Sequence, residues 1–177
     1  MSHVMLDLET LGTKPGASIR SIGAVVFDPF GDGIVEGSEF YRNISEESCV
    51  EAGLVSDPAT VAWWSTQPQE ARDALLLDPV PLAEAASGFF EWFLNNAGER
   101  VWAQGAAFDP PLWEAAVVAA GLRVPWKYWN LRDTRTVYDV CRYSHHKQPA
   151  RHNALDDCVR QVACVQEALR SFKGAAR

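Results

Sequence analysis

Apolar residues along the chain change their spacing several times, and the changes mark out its elements. Val4, Met5, Leu6 and Leu8 form a short apolar run closed by Gly12 and Lys14-Pro15-Gly16, which predicts a strand. Two further runs, residues 18–28 and 34–44, flank the turn Gly31-Asp32-Gly33, so the three strands form an antiparallel meander. The pattern then turns helical. Asp57 reads as an N-cap with Pro58 at the first helical position, and that helix runs to a break at Pro68. Further helices are predicted at about 69–77 and 81–96, on either side of Asp78-Pro79. Residues 100–105 are short, apolar and end in Gly105, as a fourth strand beside the first would. Helices over 109–121, about 133–142 and 154–172 follow, and in the last of them Leu155, Cys158, Val159, Val162, Val165 and Leu169 make one apolar stripe. The order β-β-β, helices, β, helix, helix, helix predicts an α/β fold, a mixed sheet flanked by helices. Residues 1–177 read as one domain, with no internal repeat and no dividing linker.

Two carboxylates interrupt the first strand. Asp7 and Glu9 are two residues apart, so they share one face of an extended chain. Side by side they repel each other and resist desolvation unless a cation lies between them or both reach water. A divalent metal site and a wet polar face both fit this stretch. Asp109, directly after the fourth strand, precedes Pro110 and reads as an N-cap, a position from which one oxygen can still face a metal. His152, Asp156 and Asp157 lie off the apolar stripe of the last helix and are free to face a cleft.

Composition narrows the class. With 177 residues, 47% of them hydrophobic, and seven Trp, the chain can bury a sizeable core. No apolar stretch reaches membrane-spanning length and the start does not read as a signal peptide, so a cytoplasmic protein without a membrane partner is expected. Cys49, Cys141, Cys158 and Cys164 show neither CxxC nor zinc spacing, so reduced thiols are expected. The net charge of −7 conceals an asymmetry: residues 1–122 carry −13 and residues 123–177 carry +6. Within the basic part, residues 126–147 interleave Trp126, Trp129, Tyr138 and Tyr143 with Lys127, Arg132, Arg135, Arg142 and Lys147. Such a segment suits stacking and phosphate contacts with a single-stranded nucleic acid, and equally an amphipathic helix with a solvated basic face.

Taken in order, Asp7-x-Glu9, Phe108-Asp109 and His152-x4-Asp157 resemble the three motifs of the DEDDh (DnaQ-like) 3′-to-5′ exonucleases. The stretches DLETLGTKPGASIRSIGAVVFD, TVAWWSTQ and HNALDD are similar to the small branch of phage and prophage exonucleases and the mycobacterial-type exoribonuclease. The resemblance implies an RNase H-like fold, a three-strand antiparallel meander extended by parallel strands. It also implies two Mg²⁺ or Mn²⁺ ions and release of nucleoside 5′-monophosphates from the 3′ end of single-stranded RNA or DNA. Hard oxygen ligands suit such ions, and a pair roughly 3.5–4 Å apart can stabilise the attacking and the leaving oxygen of an in-line displacement. On this resemblance Asp7 bridges the ions, Glu9 and Asp157 complete the one that holds the attacking water, and Asp109 reaches the other, mostly through water. Family spacing also selects Asp157 over Asp156. His152 would accept the water's proton, a task suited to an imidazole that ordinarily titrates near pH ~6.5.

Substrate contacts are expected from Thr10, Leu11, Phe108, Trp64 and Arg135, with Leu11 against the last base. Trp63 and Trp64 cannot both face inward easily, so one of them is expected to line the groove. A free 3′ end is the expected handle, and a homodimer is compatible with these features. Three rivals differ in what they would show. A catalytically inactive nucleic-acid-binding domain would lack one or more ligands, and an RNase H-like endonuclease would usually lack a positioned His before the last Asp. A nucleotide phosphohydrolase would carry more phosphate-binding Gly and Lys. All five expected residues are present.

Overall fold

The computed structural model describes residues 2–144 and 152–175, so Lys147 lies outside the described residues. Five strands form one sheet: β1 (Ser2–Thr10), β2 (Ile19–Phe27), β3 (Phe40–Asn43), β4 (Gly98–Ala103) and β5 (Leu131–Asp133), in the order β3-β2-β1-β4-β5. β1 pairs antiparallel with β2, and β2 with β3; β4 runs parallel to β1, and β5 to β4. This mixed sheet, with helices packed on it, is the RNase H-like arrangement expected above. The helices are α1 (Glu46–Glu51), α2 (Pro58–Ser65), α3 (Gln69–Ala74), α4 (Leu82–Asn95), α5 (Asp109–Ala119), α6 (Thr134–Cys141) and α7 (Ala154–Ala175).

Strand alternation divides the core in two. Val4, Leu6 and Leu8 of β1, with Ile22, Ala24 and Val26 of β2, pack against Phe89 and Phe93 of α4 and Leu112, Trp113 and Ala116 of α5. Met5, Val25, Phe27 and Trp102 point the other way, onto Tyr138 of α6 and Cys158, Val162 and Val165 of α7. Every residue of β2 is buried because both of its faces are covered. Gln166 of α7 fastens the turn after β2: its Nε2 donates to the carbonyls of Asp28 and Gly33, and its Oε1 accepts from Gly33 N–H, each at 2.8 Å.

Several expectations need correction. The strand predicted over 34–44 is only β3, preceded by a single bridge from Ile34 to Phe27, because Gly37 takes a φ of 74° and breaks the extended run. The helix expected over 69–77 closes at Ala74. α1 and β5 were not predicted. α1 is six residues long and buries only Cys49, and β5 is three half-buried residues, so neither repeats long enough to leave a period.

The basic, aromatic stretch does not form one stacking surface. Trp126 is buried with its indole N–H donating to Glu114, Tyr138 is core, and the Tyr143 hydroxyl donates to Glu167. Tyr128 and Trp129 carry most of the exposed aromatic surface, with Lys127 Nζ 5.0 Å from the Trp129 ring centre. All four cysteines are free thiols, and among the described residues no helix is long and apolar enough to cross a membrane.

Candidate active site

The carboxylates converge because of where the strands stop. β4 pairs with β1 only as far as Met5–Trp102, and the chain then turns into α5, leaving the end of β1 open beyond the parallel strands. Asp7 and Glu9 have the parity of Met5 and therefore face α7. Opposite Asp7 across the antiparallel pair stands Gly23, where a Cβ atom would lie 2.4–2.5 Å from backbone atoms of Ala154 and Leu155. Only a residue without a side chain lets the start of α7 approach the sheet this closely. The Cys158 thiol, hydrogen-bonded to Gly23 O at 3.3 Å, seals the same contact. Asp157, one residue earlier, is thereby brought onto the end of β1.

Oxygen atoms of Asp7, Glu9 and Asp157 lie within 4.8 Å of one another. Asp156, by contrast, is exposed and is not one of the three clustered carboxylates. Glu9 and Asp157 are each 8% exposed, while Asp7 is half-buried between them. Gln161 of α7 donates from Nε2 to Asp7 Oδ1 at 2.7 Å, and Arg160 Nη2 stands 2.5 Å from Asp157 Oδ1. Asp109 is buried at the first turn of α5. Its carboxylate accepts from Leu8 N–H at 3.3 Å rather than capping its own helix, which corrects the N-cap expectation.

Crowded acids in poor solvent resist ionisation. Burial, and then the charges of Asp109, Glu9 and Asp157, hold the Asp7 carboxyl well above the usual range, against the pull of the Gln161 hydrogen bond. Burial and the charges of Asp157 and Asp109 raise Glu9 to about 8. Burial raises Asp109 to about 7, although Leu8 N–H and the charge of Arg135 favour its ionised form. Asp157 is raised too, by burial, with Arg160 and His152 opposing. A hard divalent cation fits this donor set: three clustered carboxylates supply anionic oxygen, and their mutual repulsion is what such an ion relieves.

These protonated acids give the metal-free protein a definite pH response. The folded state retains protons that unfolded carboxyl groups release, so the stabilisation is complete below about pH 4 and is lost as the pH rises through about 8, the raised value of Glu9. In EDTA the melting temperature should fall by about 5–10 °C from pH 5 to pH 8, and saturating Mg²⁺ or Mn²⁺ should flatten that slope. Thermal denaturation with and without the ion measures both.

A cavity of about 500 Å³ opens beside the carboxylates, lined by Leu8, Glu9, Thr10, Asp57, Thr60, Trp63, Trp64 and Phe108 among others. Asp57 caps α2 as predicted, accepting from Ala59 N–H at 2.8 Å. The Trp64 indole donates to Thr10 O at 2.9 Å, which ties α2 to the end of β1. Thr10 itself donates from Oγ1 to Gly12 O at 2.7 Å. Leu11 is placed differently from the expectation: it is buried with Trp64 and Leu75 and supports the cavity wall from within. Arg135 is exposed, with Nη1 3.2 Å from where a Cβ on Gly105 would stand and its charge acting on Asp109. His152 is half-buried, edge-on to both Trp63 and Trp64.

Some supporting residues escaped the sequence reading. Gln161 stands four positions after Asp157, a helical spacing that could have revealed it. Asp133 caps α6 through Arg135 N–H and Thr136 N–H, while its other oxygen accepts from Ala106 N–H at 2.7 Å. It thus pins the loop that presents Phe108 and Asp109, a contact across 27 residues that no local pattern discloses.

Gly23→Ala should expose how far this geometry depends on one close approach. We expect a melting temperature lower by about 5–10 °C, from overpacking, and a loss of the expected activity on oligonucleotides larger than the loss of fold. Circular dichroism alongside an oligonucleotide assay separates the two.

The model of the 3′-5′ exoribonuclease Rv2179c-like domain matches residues 2–169. The exodeoxyribonuclease of Enterobacteria phage T4 is 22% identical over 211 residues, covering 98% of this chain and 92% of that protein. Among solved structures, cell-death related nuclease 4 (CRN-4) superposes with a TM-score of 0.65 at 12% identity, over 96% of this chain and 64% of that one. Product-bound exonuclease I gives 0.63 at 16% identity, over 98% and 43%. The Mg²⁺- and Mn²⁺-bound form of S. pombe Pop2p gives 0.52 at 13% identity, over 99% and 83%. The structural likenesses establish the fold, and the chain spans less than two thirds of CRN-4 and less than half of exonuclease I.

Proposed function

The chain belongs to the Rv2179c-like 3′-5′ exoribonuclease domain family, within the DEDDh exonucleases, and is a 3′-to-5′ exonuclease; from that premise we propose that it degrades single-stranded RNA or DNA by metal-dependent hydrolysis at the carboxylate cluster. One observation carries the reading: Asp7, Glu9 and Asp157, drawn from two elements, share one 4.8 Å cluster at the edge of a cavity of about 500 Å³. That volume lies in the range of small-ligand sites, and its indole and phenyl walls suit a terminal nucleoside.

Asp7, Glu9 and Asp157 would hold divalent ions, Mg²⁺ or Mn²⁺, with Asp109 completing the anionic set. When bound, such ions supply neutralisation of the scissile phosphate and acidification of a water molecule. The chain's own residues do the rest. Gln161 fixes one oxygen of Asp7, so the carboxylate cannot turn away from the cluster. The charge of Arg160 favours the ionised form of Asp157 and so opposes the burial that raises it. A ring nitrogen of His152, placed by the turn that enters α7, takes the proton from the attacking water. Trp63, Trp64 and Phe108 would enclose the terminal nucleoside and exclude bulk water, and Thr10 and Glu9, which line the same cavity, would meet its 3′-hydroxyl. Arg135 is positioned to attract the phosphate backbone beside Asp109.

Matched 5′-labelled RNA and DNA oligonucleotides, incubated with Mg²⁺ or Mn²⁺, provide the test. The expected result is a ladder shortening from the 3′ end with nucleoside 5′-monophosphates as products, and no reaction in EDTA. Nucleoside 3′-monophosphates, or full activity in EDTA, would contradict the assignment.

A further inference from the structure

His152 is held by aromatic rings instead of by the helix it precedes. It stands two residues ahead of α7 with a φ of 51°, in the left-handed region. The Trp63 ring meets the imidazole edge-to-face at 5.1 Å and 88°, and the Trp64 ring meets it at 5.5 Å and 70°. The two indoles pack on each other at 5.2 Å and 76°, so the three rings form one cluster.

The tryptophans are not equivalent. Trp64 is 6% exposed, hydrogen-bonded to Thr10 O and packed on Leu11 and Leu75, so it serves as the anchor of α2. Trp63 is 45% exposed. Its ring borders the same cavity as Glu9 and Phe108 while touching the imidazole.

We infer that Trp63 is a positioning residue through which a nucleoside seated in the cavity holds His152 at the carboxylates. With the cavity empty the indole already supports the imidazole, yet 45% of its surface stays open to solvent on the cavity side. A base resting in the cavity covers the indole and adds to this packing, so a bound 3′-terminal nucleoside reinforces the ring contact that holds the imidazole. The inference rests on the reading of His152 as that acceptor.

Two measurements on the full chain test it. In the first, the ring protons of His152 are followed by NMR in the metal-free protein, with and without 5′-AMP as the probe. The tryptophan rings should displace them from the resonances of the other histidines, and 5′-AMP should sharpen them. Trp63→Ala should return them toward ordinary positions and abolish the response to 5′-AMP, whereas Trp63→Phe should keep part of both. Circular dichroism and thermal denaturation of both variants check that the fold is retained.

In the second, kcat and KM are measured for Trp63→Ala, His152→Ala and the double variant. Trp63→Ala should raise KM and lower kcat by about tenfold or more, as expected for a misplaced catalytic group. In the His152→Ala background the kcat loss should disappear while the KM rise remains. His152 resonances that ignore Trp63→Ala, or kcat losses that multiply in the double variant, overturn the inference. Failure of the proton-acceptor reading has a different signature, an undiminished kcat in His152→Ala alone, and it takes the present inference down with it.

Discussion

Asp7→Asn should lower turnover by about 10³-fold or more while leaving the protein folded. The substitution removes the charge at the centre of the cluster, between Glu9 and Asp157, where a divalent cation is best held. The fold should not suffer, because the asparagine Oδ1 still accepts from Gln161 Nε2 and one of the mutually repelling acids is gone. The metal-free variant should melt at or above the temperature of the parent at pH 8, and Mn²⁺ titration calorimetry should show weakened binding. A variant that is inactive only because it is unfolded would fail the melting comparison, and an active one would remove Asp7 from the chemistry.

The second large effect falls on His152, the proposed proton acceptor. His152→Ala should lower kcat by about 10²–10⁴-fold, the usual range for loss of a general base. Its signature is opposite to that of Asp7→Asn in one respect. The clustered ligand oxygens belong to Asp7, Glu9 and Asp157, so the affinity for Mn²⁺ should be nearly unchanged. Small buffer bases such as imidazole should restore part of the lost rate by diffusing into the vacated space. Loss of Mn²⁺ binding in His152→Ala would instead mark the imidazole as a metal ligand.

The strand periodicity already placed Asp7 and Glu9 on one face, since a spacing of two in a strand leaves no alternative. The first two strands of the meander, the fourth strand and the long amphipathic α7 were legible because their apolar patterns run over enough residues to be seen, whereas the parallel direction of further strands came from the family resemblance alone. The choice between Asp156 and Asp157 was not legible from periodicity, because both lie off the apolar stripe. It is decided by a contact between Gly23 and the backbone of Ala154, 131 residues apart in sequence. Asp109 looked like a cap because Asp-Pro at a helix start commonly is one, but tertiary packing turns its carboxylate to Leu8 N–H. The basic and aromatic stretch misled in the other direction: composition grouped Trp126, Tyr138 and Tyr143 with the exposed Trp129, whereas folding sends the first two into the core and Tyr143 to Glu167. Asp133 and Arg160 likewise became visible only through partners that folding supplies.

If this carboxylate cluster removes nucleotides from a 3′ end with a divalent cation, a strand without an end should resist it. Linear and circular forms of one single-stranded oligonucleotide sequence, incubated together with the protein and Mn²⁺, separate the possibilities. The expected result is progressive 3′ shortening of the linear form, an intact circle, and arrest of the shortening on adding EDTA. A nicked circle, or a linear strand cut internally before its 3′ end recedes, would contradict it.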